Sequence, residues 1–264
     1  MTELGSSAFD SSRAERALCD DWRSTSVDDL SVAAGTARAP AEVAKELAAV
    51  WTAAAHEARA SIGAHARFAL QLMQLGAPAP LLGACARVMQ DEVAHAQACF
   101  SLARRFAGQE PAGEPLGLDV EDPLEEDRTA IVLGVIGRGC IRGAVASLCA
   151  REALEHCQDP ATREALMLRQ AVKAQEAQLA WRFVTWSLRN AGPDLLDRAR
   201  VAFLMALAEQ RRPAPLGEHE RALLRFGVLA DAQRAALEQR VLRSAVLPCM
   251  EALLARPTAA PTRI

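Results

Sequence analysis

Glu92 and His95 stand three residues apart in the run Asp91-Glu92-Val93-Ala94-His95-Ala96. On a helix that spacing puts both side chains on one side. The same side carries Leu82, Cys85, Val88, Met89, Cys99 and Leu102, an apolar stripe that must face a core. Glu92 and His95 are therefore expected inside the protein. A buried carboxylate is costly unless it is paired, hydrogen-bonded or bound to metal. A second pair at the same spacing, Lys173 and Glu176, lies on a stripe with Leu166, Ala180 and Phe183. Two chemistries fit these four groups. Carboxylates and imidazole are ligands for iron or manganese. An ammonium among carboxylates makes a self-neutralising ion-pair cluster.

Helical periodicity supplies the elements that must hold these groups. After Pro40, residues Leu47, Val50, Trp51, Ala54, Ala58, Ile62, His65, Phe68 and Leu72 recur at three- and four-residue steps, one face of a long helix. The stretch Gly76-Ala77-Pro78-Ala79-Pro80 stops it. The second helix, with Glu92 and His95, follows after so short a connection that the two must be antiparallel neighbours. The segment from Gly108 to Asp127, rich in Gly, Pro, Asp and Glu, is long enough to cross from one end of a bundle to the other. A third helix is predicted over Arg128 to His156, with Val132, Ile136, Cys140, Gly143 and Ser147 on its stripe. Asp159-Pro160 opens the fourth, with aspartate as N-cap and proline at the first helical position. It ends by Gly192-Pro193.

Two hairpins joined by a long crossover describe an all-α fold, a ferritin-like four-helix bundle. The expected organisation is a loose N-terminal arm (1–40), the bundle (41–192) and accessory C-terminal helices packed on it (193–264). A linker runs through Pro213 and Pro215. Glu92-Val-Ala-His95-Ala aligns with Lys173-Ala-Gln-Glu176-Ala, a weak internal repeat of the kind that paired hairpins produce.

Composition agrees and excludes. The chain has 264 residues, 51% hydrophobic and 24% charged, with a formal net charge of −3. Only 4% are aromatic, none is tyrosine, and about a fifth are alanine, the strongest helix former. An all-β protein and a tyrosyl-radical mechanism are excluded. The near-neutral charge argues against nucleic acid as a partner. No run of 18 uninterrupted apolar residues is present, so no membrane span is expected. Met1 to Asp10 lacks a cationic, then apolar, signal pattern. The seven cysteines form no CxxC pair. Cys85, Cys99, Cys140 and Cys149 fall in helical patterns and read as small buried residues in a reducing, cytoplasmic setting. No nucleophile elbow, P-loop or GxGxxG occurs.

Short motifs carry a family resemblance. The chain has Trp51 followed by Ser61-Ile62-Gly63, then Asp91-Glu92-Val-Ala-His95-Ala96, Gly139-Cys140-Ile141-Arg142-Gly143, and Leu179-Ala180-Trp181-Arg182. The tail has Gly227-Val-Leu-Ala-Asp and Leu247-Pro248-Cys249. Over roughly residues 45 to 255 it resembles the ferritin-like superfamily, in particular a bacterial group of ferritin-like domain proteins. That resemblance implies a di-iron or di-manganese centre of four glutamates and two histidines. Of those six ligand positions only Glu92 and His95 keep their type. The first-helix glutamate falls on Ala58 and the third-helix glutamate on Gly143. The second Glu-x-x-His becomes Lys173-x-x-Glu176. Glu57 could replace Ala58 only by a rotation of about 100°; otherwise it is a rim charge near His56 or Arg59. Arg142 reads as a surface or interhelical charge, and Trp181 and Trp186 as packing residues. His65 reads as a core or rim histidine, while His156 and His219 show no partner pattern.

Charge arithmetic separates the readings. An intact site holds about −4, offset by two divalent ions. Glu92, Glu176, His95 and Lys173 together hold −1 with the lysine charged, and a proton on His95 brings that to zero. Lysine occurs only at positions 45 and 173, and Lys173 stands where the resemblance puts a metal ligand. The expected protein is thus a ferritin-like bundle that has lost its di-iron centre and has a binding or structural role toward an unknown target. No cofactor is then expected, with a homodimer and a small-molecule or protein partner as open possibilities. The competing reading is a di-iron-class or single-metal oxidoreductase using Glu92, His95 and Glu176 with iron or manganese. A third is metal-free chemistry at a buried lysine.

Overall fold

The structure, a computed structural model, describes residues 39–108, 123–189, 191–207 and 217–255. The expected N-terminal arm falls outside these apart from Ala39 and Pro40, and so do most of the crossover and of the proline linker. The described chain is all-α, with no strand among the described residues. Seven helices follow in order: α1 (Ala41–Gln74), α2 (Ala79–Ala107), α3 (Arg128–His156), α4 (Pro160–Leu188), α5 (Pro193–Leu207), α6 (Glu218–Leu224) and α7 (231–254).

The boundaries have local causes. Pro40 and Pro78 precede α1 and α2 in extended conformation. Gly76, at φ +64°, makes the turn between them, in the left-handed region that glycine enters without a Cβ penalty. Asp127 caps α3 by accepting from the N–H groups of Thr129 and Ala130. Asp159 caps α4 by accepting from Thr162 N–H, and its carboxylate also takes two bonds from Arg105 at 2.7 and 2.8 Å. That bidentate pair ties α2 to the start of α4.

α1 pairs with α2, and α3 with α4, as antiparallel hairpins joined by short turns. α4 also packs on α2, and its side chains reach α1. α5 covers the middle of α3, α7 runs along α3, and α6 lies against the start of α1. The core is built from Leu47, Trp51, Leu72, Val88, Leu102, Val132, Ile136 and Phe183.

α3 contains a π-helical stretch, Ile136–Gly143. Its buried residues Val132, Ile136, Cys140 and Gly143 advance by four, four and three, the steps of one helix face. The same stretch approaches α4 through small residues. A Cβ added at Gly139 would stand 2.3 Å from Ala180 Cβ, so only glycine fits. By length and composition α3 could cross a membrane, but 44% of its most apolar window is buried inside the protein, and Arg138 and Arg142 interrupt it.

Candidate functional site

Glu92 and His95 sit inside α2, 0% and 2% exposed. Lys173, 5% exposed, reaches them from α4. Its Nζ donates to Glu92 Oε1 at 2.6 Å and to Glu176 Oε1 at 3.2 Å, and forms an ion pair with Glu176 Oε2 at 3.0 Å. On the other side of Glu92, His95 Nδ1 donates to Oε2 at 2.9 Å. That leaves His95 Nε2 buried with no hydrogen-bond partner. The four residues singled out by spacing thus meet in one cluster that joins the two hairpins.

The cluster continues outward to α1. Ser61 Oγ donates to Glu176 Oε1 at 2.7 Å. His65 is bonded through Nδ1 to the Ser61 carbonyl at 2.8 Å and stands 3.9 Å from Glu176 Oε1. His65 is part-buried, consistent with a rim histidine; burial pulls its ring below the ordinary value against the opposing backbone bond. Ser61 was not singled out by charge or by ligand chemistry. Its signal was positional: it lies three residues beyond Ala58, beside the buried stripe.

Electrostatics divide the two carboxylates. Burial works to raise Glu92, but the bonds from His95 and Glu176 and the Lys173 ammonium outweigh it and hold the carboxyl well below the ordinary range. Glu176 goes the other way. Burial raises it, the neighbouring Glu92 carboxylate adds to that, and Lys173 and Ser61 offset only part, leaving it at about 7. Burial also works against the Lys173 ammonium, and the two carboxylates reverse the effect, so its value is raised. A proton on Glu176 brings the cluster to zero net charge. One ionised glutamate faces one ammonium, and the second glutamate is poised to be neutral.

These residues do not fit a metal ion as they stand. Lys173 Nζ occupies the space between Glu92 Oε1 and Glu176 Oε2, and His95 Nδ1 is turned to Glu92 rather than to that space. Among the described residues no group of three or more His, Cys, Asp or Glu side chains could hold a metal. Ala58 is buried on α1. Gly143 faces α4, where an added Cβ would lie 3.4 Å from Ala177 N.

Other expectations resolve simply. Glu57 does not rotate inward: its side chain is 62% exposed and pairs with Arg169 at 3.5 Å. His219 has a partner, Glu46 at 2.6 Å, and His156 lies 3.8 Å from Glu152. Arg142 is exposed. Trp181 stacks on Phe203, and Trp186 packs on Phe183 and under Arg128. Cys85, Cys99 and Cys140 are buried free thiols, while Cys149 is half-buried.

The fold and cluster define an all-α helical protein with a buried, interhelical glutamate–lysine–glutamate core. Comparison with protein-family models, with curated proteins and with solved structures finds no match for this chain.

Proposed function

We propose that the chain is a ferritin-like four-helix bundle in which an ion-pair cluster stands in place of a di-metal centre, and that its role is structural or one of binding. The observation that carries this reading is Lys173 Nζ lying between Glu92 Oε1 and Glu176 Oε2. The paired hairpins, the long connection after Gly108 and the buried Glu92-x-x-His95 support the ferritin-like assignment. The Lys173 ammonium, together with a proton on Glu176, neutralises the core without an ion, and the ammonium repels any divalent cation brought to the same carboxylates. Redox catalysis at iron or manganese would require Lys173 to leave.

The competing reading, a single-metal oxidoreductase at Glu92, His95 and Glu176, keeps the same three ligands and differs in one measurable respect. Under it, iron(II) or manganese(II) raises the melting temperature of the native protein, because a ligand bound only by the folded state stabilises it. Under the proposed function, saturating metal leaves the melting temperature unchanged. A specific, saturable rise overturns the proposal.

A further inference from the structure

We propose that Lys173 and Glu92 are the reactants of an intramolecular isopeptide bond, so that the folded chain joins Lys173 Nζ to Glu92 Cδ with loss of one water and ties its two hairpins together covalently. The inference rests on the proposed function, since it needs the lysine, and not a metal, between the two carboxylates.

A buried amine is held against a carboxyl group. Lys173 Nζ and Glu92 Oε1 are 2.6 Å apart, and both side chains are buried. A hydrogen bond of that length brings Nζ to about 3–3.5 Å from the carboxyl carbon, the separation of a near-attack pair. The two side chains come from different helices, α4 and α2, whose packing sets the approach and keeps bulk water out. Burial also favours the product. Two ions kept from water are costly, and the amide that replaces them carries no charge. The released water has a way out along the half-buried rim at Ser61, His65 and Glu176. The ion-paired and the linked form both leave the core free of metal.

Each neighbour has a part in the balance. The ammonium carries three protons and the Glu92 carboxylate none. Nζ gives the first proton to Oε1 across the bond that joins them, and its freed electron pair attacks Cδ. Glu176, whose oxygens stand 3.0 and 3.2 Å from Nζ, takes the second proton from the attacking nitrogen and delivers it to Oε1, ending as it began. The Cδ–Oε1 bond then breaks with its electron pair on oxygen, and Oε1 leaves as water. The third proton stays on the amide nitrogen. Oε2 becomes the amide oxygen. His95 Nδ1, 2.9 Å from it, donates to the negative charge that builds there while Cδ is tetrahedral. No oxidant or co-reactant enters.

The test follows the wild-type chain, its cysteines kept reduced, by intact-mass spectrometry and peptide mapping during incubation below its melting temperature. The folded chain is expected to lose the mass of one water, and its digest to contain a branched peptide in which Lys173 is joined to Glu92. The melting temperature is expected to rise with the linked fraction, because the link closes a loop in the unfolded chain. The same chain held unfolded in urea is expected to keep its full mass. Glu176→Gln is expected to slow the loss about a hundredfold or more, and Lys173→Met to abolish it. Where a variant fails to fold, the comparison of folded with urea-unfolded wild type decides alone. Full mass in the folded chain after incubation, an equal loss in urea, or a water loss mapped to other residues overturns this inference and leaves the proposed function standing. A saturable rise in melting temperature with manganese(II) instead overturns the proposed function.

Discussion

Lys173 Nζ and Glu92 Oε1 are 2.6 Å apart and belong to different helical hairpins. The ion pair is therefore a buried tie between the halves of the molecule as well as a local neutralisation. Burying two charges costs several kcal/mol per ion, and only good geometry returns it. Removing one partner leaves the other stranded. Glu92→Gln or Lys173→Met alone is expected to cost about 3–5 kcal/mol in denaturant unfolding. The double variant is expected to cost much less than the sum. Additive losses would mean that the two groups do not act on each other.

Glu176 gives the cluster a pH signature. Its folded-state value near 7 lies above the 4.5 of an ordinary glutamate. A raised carboxyl contributes its full stability below pH 4.5 and loses it as pH rises through about 7. Glu176→Gln mimics the protonated form and removes that dependence. The melting temperature of the wild type relative to Glu176→Gln is expected to fall between pH 5 and pH 8. His65, whose value is lowered, works in the opposite direction but is common to both proteins. A constant difference across that range would place Glu176 in an ordinary carboxylate setting.

The helix pattern was legible because the long elements carry both periodicity and punctuation. Pro40, Gly76, Asp159 and Pro160 set boundaries where the structure has them. Lys173 and Glu176 were recognisable as a buried pair because they share a stripe with Leu166, Ala180 and Phe183. Three features were not legible. The π stretch of α3 leaves no mark in the spacing of its buried residues, which keep three- and four-residue steps. Ser61 is a small polar residue at a helix edge, and its bond to Glu176 spans 115 positions. The placement of the proton depends on how two carboxylates share one ammonium, which spacing along single helices does not encode.

The close approach of α3 to α4 sets a steric expectation. Gly139→Ala puts a methyl group 2.3 Å from Ala180 Cβ. It is expected to destabilise by about 1–3 kcal/mol despite the better helix propensity of alanine. Ala180→Gly in the same chain is expected to return part of the loss. Gly137→Ala, with nothing within 4 Å, is the control and should be neutral or stabilising by up to about 1 kcal/mol. Equal behaviour of the two glycines in thermal unfolding would contradict this helix packing.

Asp159 combines a helix cap with a half-buried bidentate ion pair to Arg105. Asp159→Ala is expected to cost about 1–3 kcal/mol, from the lost cap and the stranded guanidinium. Asp159→Asn keeps an acceptor for Thr162 N–H and should lose less. Urea unfolding of the two variants side by side reads the difference.

The central claim is that an internal ammonium, and not a metal, neutralises the Glu92 and Glu176 core. It is tested most directly by elemental analysis of the native protein purified from cells grown with added iron and manganese. The account predicts no stoichiometric iron or manganese in the folded protein. About two ions per chain, as a di-metal bundle carries, or about one ion lost on Glu92→Gln substitution, would contradict it.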